Sequence, residues 1–273
     1  MHCWAACIGG CCDEQSREHW VSEAVFAADK VRVQGLRWCK EEPSIIGLAN
    51  ATSKVLCKTH NSALSPLDAA AGRAFDAMRD SMGTVNRHRA TLMPWQRPAV
   101  ERFKIDAGLL ERWLVKTAIN LALIGRPVRI GDDGGATHEV PRSWAEIAFG
   151  IRPFQGHAGM YIVAAAGSKQ SWEDDIAFVP LLTDDNQLVA AGFKLFGLRA
   201  LLWMRTQQPV PASLDQLSVL GPEWAGAAPH WRFKSLAFKL GIWPSNYIDL
   251  DWTSALRQEG IGHATIVLEP PAD

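Results

Sequence analysis

The sequence predicts an α+β fold in two parts: a small cysteine-rich unit at residues 1–85, and a larger α+β unit with an antiparallel sheet at residues 107–273. Three observations support this prediction. Four of the six cysteines fall within the first twelve residues. Apolar residues recur at spacings of three and four between Leu67 and Met82, which is typical of a helix packed on one face. From residue 157 onward, runs of β-branched and aromatic residues predict strands.

The composition is that of an ordinary globular protein. Of the 273 residues, 48% are hydrophobic and 21% are charged, and the formal net charge is −1. This balance excludes nucleic-acid binding through a general excess of positive charge, so any such contact must rely on local charge. The 12 tryptophans favour a packed protein over a disordered one, because their side chains supply large apolar areas for a core.

The N-terminus lacks the basic start and the apolar run of a secretory signal peptide. The most apolar helical stretch, residues 109–125, is interrupted by Glu111, Arg112 and Lys116, so it does not predict a membrane span. We therefore expect a cytoplasmic protein without a membrane partner. In a reducing compartment, clustered cysteines favour metal binding over disulfide formation.

The N-terminal unit begins with a knuckle rich in cysteine and glycine at residues 1–15. Residues 31–39 and 53–57 are predicted strands, and Gly35 interrupts the first of them.

A helix is predicted to begin at Ser65, which suits the N-cap. Pro66 suits the first helical position, and Asp68 stands where a capping box places an acid. Gly83 is expected to end the helix.

Residues 86–106 are predicted to form a basic connector between the two units. Its Arg87, Arg89 and Arg97 are candidates for contact with nucleic acid, and an ordinary solvated linker is the alternative. Beyond it, helices are predicted at 107–124 and 143–150, with a hairpin turn at 183–187. The predicted strands are residues 160–166, 176–182, 188–204 and 263–269.

Two polar stretches carry the strongest functional signal. Glu18 and His19 lie on a short extended run. Cys57, His60 and Asn61 lie where a strand gives way to a helix. Cys57 and His60 have the spacing of a zinc-ligand pair, with a buried cysteine and an exposed histidine as the alternative. A one-metal site that cuts phosphodiesters needs a histidine base, together with oxygen or imidazole ligands for a divalent ion.

This arrangement resembles the HNH endonucleases. In that family, cysteines precede a Glu-His pair on the first strand, and a Cys-x-x-Cys or Cys-x-x-His at a strand-to-helix junction is followed by Asn or His. The matching part covers residues 3–82. The resemblance implies a zinc-stapled ββα-metal, or treble-clef, unit and a hydrolase acting on phosphodiester bonds.

The resemblance also implies a role for each matching residue. His19 corresponds to the general base, and Glu18 to the acidic position that ligates a catalytic Mg²⁺ or Mn²⁺. Asn61 corresponds to the last ligand on the helix, although it would also suit a turn before the helix. Cys57 and His60 correspond to the second pair of ligands of a structural zinc ion.

The first pair of zinc ligands must then come from the N-terminal cysteines. The usual Cys-x-x-Cys of the family is absent, which leaves the pairs Cys3/Cys7, Cys7/Cys11 and Cys7/Cys12. Because Cys7 belongs to each of these pairs, we take Cys7 and Cys12 as the predicted ligands.

Two classes of function follow. The first is a metal-dependent endonuclease that cuts DNA, with RNA as the alternative substrate, and whose C-terminal unit selects the target or forms a homodimer. The second is a non-catalytic zinc module that binds nucleic acid or a protein partner. The second is favoured by the lack of a clear base-orienting asparagine, since Asn50 is nearest and Thr52 or Ser53 would have to replace it. The intact Glu-His pair and Asn61 favour the first, which we take as the expectation.

Overall fold

The N-terminal part combines two antiparallel strand pairs with one long helix. Strand β1 (Gln15–His19) pairs with β4 (Thr52–Cys57), and β2 (Lys30–Val33) pairs with β3 (Ser44–Gly47). Helix α1 (Lys58–Thr91) follows β4 directly. The computed structural model describes residues 3–33, 39, 42, 44–93, 96–124, 129–130, 139–164, 176–195, 198–214, 224, 228–232, 234–240, 243–257 and 265–268. The predicted strand at 53–57 is confirmed as part of β4, whereas the predicted break at Gly35 lies outside the described residues.

Helix α1 is longer at both ends than the sequence predicts. It begins at Lys58 rather than at Ser65, so Pro66 lies inside the helix, and it continues through Gly83. At its far end, Val85 and His88 are buried, and Nδ1 of His88 lies 2.8 Å from Oγ of Ser245. Tertiary packing therefore extends the helix past local signals that would end it.

The predicted connector at 86–106 is not a separate segment. Its first residues belong to α1, and its last residues form strand β5 (Glu101–Asp106). Strand β5 pairs in parallel with β13 (Trp243–Asp251), near the end of the described chain. The correction has a simple cause: the main-chain groups of β5 are satisfied by a strand that lies far away in the sequence.

The second part contains two sheets. Their strands, besides β5 and β13, are β6 (Arg129–Ile130), β7 (Gly159–Ala164), β8 (Ile176–Leu182), β9 (Gln187–Leu195), β10 (Leu198–Trp203), β11 (Ala228–Trp231), β12 (Ser235–Leu240) and β14 (Thr265–Leu268). The larger sheet, as far as the chain is described, has the strand order β11-β7-β10-β9-β6, with β8 also paired to β9, and its β6–β9 pair is parallel. The smaller sheet has the order β14-β12-β13-β5 and includes two parallel pairs, so both sheets are mixed rather than antiparallel throughout.

Helix α2 (Ala107–Ile124) joins the two parts, and its bounds are those predicted. It packs against α1, where Phe75 and Trp113 meet edge to face with ring centroids 5.5 Å apart. One continuous set of buried apolar side chains runs from Cys3 to Ala255. Packing therefore does not separate the predicted units, and the boundary expected near residue 85 falls inside α1. Within the described residues, no helix combines the length and the apolarity needed to cross a membrane.

Helix α2 also carries a charged side chain into this core. Glu111 accepts hydrogen bonds from the Met160 N–H at 2.8 Å and from Nη2 of Arg232 at 2.9 Å. Burial raises the pKa of Glu111 to about 7, although Arg232 and the Met160 N–H oppose the rise.

This raised pKa predicts a pH dependence of folding. The ordinary pKa of the carboxyl is 4.5, so between pH 4.5 and about 7 the folded state binds a proton that the unfolded state does not. The contribution of Glu111 to the free energy of unfolding should therefore fall as pH rises through this window. Urea unfolding from pH 5 to 7.5 should show a steeper fall for the wild type than for Glu111→Gln, by about 1 kcal/mol per pH unit at most. Equal slopes would contradict the prediction.

Candidate metal centre and adjoining pocket

Three cysteines and one histidine converge at the start of helix α1. The Nδ1 atom of His60 lies 3.2 Å from Sγ of Cys57, 3.3 Å from Sγ of Cys3 and 3.6 Å from Sγ of Cys11. All four donor atoms lie within 4.8 Å of one another. Tetrahedral zinc with ordinary bond lengths places sulfur and nitrogen ligands about 3.5 Å apart. The four side chains are therefore close enough to hold a metal ion, and they fit zinc.

The N-terminal loop explains which cysteines enter this cluster. The Trp4 N–H donates to the Val55 carbonyl at 2.9 Å, which holds the neighbouring Cys3 beside β4. Gly9 and Gly10 then have φ angles of +82° and +78°, a left-handed conformation that favours glycine. This turn brings Cys11 back to the cluster.

Cys7 and Cys12, the predicted ligands, lie outside the cluster, and the structure places Cys3 and Cys11 there instead. The exposed Cys7 has its sulfur 3.7 Å from the Trp4 carbonyl. The sulfur of Cys12 accepts a hydrogen bond from the Thr59 N–H at 3.5 Å. The prediction of Cys7 and Cys12 as ligands is therefore corrected. The turn at Gly9 and Gly10 determines which sulfurs face the cluster, and the number of residues between the cysteines does not reveal that turn.

The centre is built into the protein rather than attached to its surface. Cys57 is 0% exposed, and the His60 ring packs edge to face on Phe149 with centroids 5.2 Å apart. Phe149 follows helix α3 (Arg142–Ala148), so the second part of the chain covers the cluster. Burial raises the pKa of the Cys3 thiol, and a bound Zn²⁺ would remove that proton, which makes metal affinity pH-dependent.

A pocket of about 450 Å³ opens between β1 and α1, and Asn61, the residue after the cluster residue His60, lines it. Asn61, Ser65 and Asp68 follow one another at helical spacing and present one polar face of α1 to it. The residues that line the pocket are Arg17, Glu18, His19, Ser22, Glu23, Ala24, Asn61, Ser65 and Asp68. The structure therefore brings Glu18, His19 and Asn61 together at one pocket, as the resemblance of the two polar stretches predicts.

His19 lies in this pocket with one imidazole nitrogen unengaged. Its Nε2 atom is buried and has no hydrogen-bond partner among the described residues, and a carboxylate oxygen of Glu23 is 3.8 Å away. Thr52 is the direct cross-strand neighbour of His19. An imidazole in this position can accept a proton without first breaking a hydrogen bond at Nε2.

Glu18 is held much more tightly than its neighbour. Its Oε1 atom lies 2.6 Å from Nζ of Lys116 and accepts a hydrogen bond from Nδ2 of Asn120 at 3.4 Å. Lys116 also donates to both carboxylate oxygens of Asp68, at 2.7 Å each. Burial raises the pKa of Glu18, and Lys116 opposes that rise.

The contacts of Glu18 do not fit a carboxylate ligand for a catalytic Mg²⁺ or Mn²⁺, because its carboxylate is paired with the ammonium of Lys116. Asn61 donates to Ser16 at 2.7 Å through Nδ2, whereas an amide would ligate a metal through its oxygen. Within the described residues, the Cys3, Cys11, Cys57 and His60 group alone brings three or more Cys, His, Asp or Glu donors to one point.

No family model, curated protein or solved structure matches this chain.

The arginines predicted to contact nucleic acid lie away from this pocket. Arg87 and Arg89 belong to the last turns of α1, and a rise of 1.5 Å per residue places Arg87 about 39 Å along the helix from Asn61. Arg87 pairs with Glu101 at 3.0 Å, and the Arg97 guanidinium lies over the ring of Trp243 at 5.5 Å. These side chains and the pocket do not form one compact basic surface.

Sequence reasoning missed several residues of the site. Local patterns predict a helix-capping role for Asp68 and place Lys116 and Asn120 only within a helix. Two patterns could have revealed them: the polar face formed with Asn61 and Ser65, and polar residues four apart within the apolar helix α2.

Proposed function

We propose that this protein is an endonuclease of the HNH type, which hydrolyses phosphodiester bonds of DNA in the pocket between β1 and α1. The observation that carries the proposal is the meeting of His19, Glu18 and Asn61, from two distant stretches of the chain, in one pocket. The metal centre beside them supports it, because a structural zinc ion would hold the start of α1 in place.

His19 is the proposed general base. Its imidazole takes a proton from a water molecule, whose oxygen forms a new bond to phosphorus. The bond from phosphorus to the leaving oxygen breaks, and that oxygen takes a proton from solvent. The carboxylate of Glu23, 3.8 Å from Nε2, would stabilise the imidazolium that forms.

The proposed substrate contact at the pocket is Arg17. This exposed side chain lines the pocket, and its Nε donates to Oγ1 of Thr52 at 3.3 Å. A guanidinium anchored in this way can meet a phosphate group. Arg87, Arg89 and Arg97 are proposed to contact nucleic acid at a separate surface, distant from the pocket. A homodimer formed through the second part of the chain is a further expectation.

The ions are assigned different places in this proposal. Structural Zn²⁺ is assigned to Cys3, Cys11, Cys57 and His60. The Mg²⁺ or Mn²⁺ implied by the resemblance would supply positive charge at the phosphate, but we assign it no step, because Glu18 is already paired with Lys116.

Replacing His19 by alanine should lower the cleavage rate by about 10²–10⁴-fold, because general base catalysis contributes that much. Zinc content, folding and DNA affinity should change little, since His19 acts in the transition state alone. The measurement is cleavage of single- and double-stranded DNA and RNA, with and without added Mg²⁺ or Mn²⁺.

His157→Ala is the matched control, because His157 is exposed and does not line the pocket. Cleavage that survives His19→Ala at the wild-type rate would rule out this active site. A wild-type protein inert on every substrate would favour the second candidate, a non-catalytic zinc module, which the pairing of Glu18 with Lys116 also favours.

A further inference from the structure

Behind Glu18 and Asp68, two of the side chains that line the pocket, lies a charged group that belongs to the protein itself. Lys116 is 1% exposed, and it reaches from α2 to the seam between β1 and α1. Its Nζ atom lies 2.6 Å from Oε1 of Glu18 and 2.7 Å from both Oδ atoms of Asp68. One carboxylate comes from β1 and the other from α1, so three elements meet at a single ammonium.

We infer that Lys116 is the resident cation of this pocket, occupying the position between Glu18 and Asp68 that a divalent metal ion would otherwise take. Two carboxylates facing one buried position would bind a cation, and here the chain supplies one. The inference concerns cation binding, so it holds whether or not the pocket is catalytic.

The polarity of the surrounding hydrogen bonds supports this assignment. The Trp113 indole can only donate, and it donates to Oγ of Ser22 at 2.7 Å. The Ser22 hydroxyl therefore directs its proton to Asp68. Asn120 directs its amide N–H to Glu18. The neighbours that contact these carboxylates thus act as hydrogen-bond donors, which keeps both carboxylates as acceptors for one cation, and the cation that lies there is Nζ of Lys116.

Lys116 is therefore a positioning residue for the pocket. Glu18 immediately precedes His19, and the Asn120 amide that contacts Glu18 also donates to the His19 carbonyl at 3.3 Å. The main chain at His19 is fixed through α2, which lies outside the stretch that resembles HNH endonucleases. Helix α2 therefore holds residues that line the pocket, although it contributes no lining residue itself.

The test measures Mn²⁺ binding to the zinc-loaded, full-length protein in the absence of substrate. Electron paramagnetic resonance and calorimetry both report the number and affinity of the Mn²⁺ sites. The wild type and the single variants Glu18→Gln and Asp68→Asn all keep Lys116, so the two variants should bind Mn²⁺ as the wild type does. Lys116→Met should gain one Mn²⁺ site at least tenfold tighter than any in the wild type, and Lys116→Met/Glu18→Gln should lose it again. Lys116→Arg is the matched control, because it keeps the charge and should gain no site.

Wild-type Mn²⁺ binding that weakens tenfold or more on Glu18→Gln would overturn the inference, because Glu18 would then ligate the metal in place of Lys116. A folded Lys116→Met protein that gains no site would also overturn it. If Lys116→Met does not fold, the comparison of the wild type with Glu18→Gln, Asp68→Asn and Lys116→Arg still decides. Since no substrate is present, failure of the nuclease proposal leaves this result unaffected.

Discussion

Cys57→Ser is expected to reduce bound zinc from about one ion per chain to nearly none and to loosen the N-terminal part of the fold. Cys57 is fully buried, and its sulfur lies 3.2 Å from Nδ1 of His60. Serine is a good N-cap, so the substitution removes the ligand while keeping a residue that can begin α1. In isolated zinc-finger peptides, metal binding contributes about 10–16 kcal/mol to folding. The loss here should be smaller, because Leu64 and Phe75 also anchor α1 in the shared core.

Metal content per chain and urea unfolding measure this effect. Cys3→Ser should behave like Cys57→Ser, since both sulfurs belong to the cluster. Cys7→Ser is the matched control: it removes a thiol from the same loop, but one that lies outside the cluster, and it should keep the zinc. The assignment fails if Cys7→Ser loses the metal while Cys3→Ser keeps it.

Arg232→Met is expected to lower the free energy of unfolding by about 3–5 kcal/mol. The Arg232 side chain is 1% exposed, and its Nη2 atom lies 2.9 Å from Oε2 of Glu111, whose side chain is 2% exposed. Removing the guanidinium leaves the Glu111 carboxyl buried without its partner, and this accounts for most of the loss. Arg232 also stacks on Trp231 and Trp252, at 4.7 Å and 5.2 Å from the ring centroids.

Arg87→Met tests the role of burial in this prediction. Arg87 pairs with Glu101 at 3.0 Å, almost the same distance, but the two side chains are 59% and 45% exposed. Exposed ion pairs contribute about 0–1 kcal/mol, because water screens the charges and both side chains lose entropy. Chemical denaturation of the two variants should therefore separate them by several kcal/mol. Equal losses would mean that burial of the Glu111 pair is not what stabilises it.

Local spacing in the sequence is enough to predict several features of the fold and of the metal centre. The bounds of α2 follow from its apolar repeat, and the turn at 183–187 joins β8 and β9 as predicted. The pairing of Cys57 with His60 follows from their separation at the start of a helix. The resemblance to HNH endonucleases predicts that Glu18, His19 and Asn61 lie in one pocket. Local spacing cannot make this prediction, because the residues come from two distant stretches of the chain.

Packing between distant segments selects the N-terminal sulfurs that join the cluster and the cation that contacts Glu18. Cys3 and Cys11 enter because main-chain bonding to β4 and the turn at Gly9 and Gly10 orient the loop. Lys116 meets Glu18 and Asp68 because α2 packs across the seam between β1 and α1. The same cause applies in both cases. Which side chains form a ligand set or a buried charge pair depends on how distant segments pack together, and their separation in the sequence does not predict that packing.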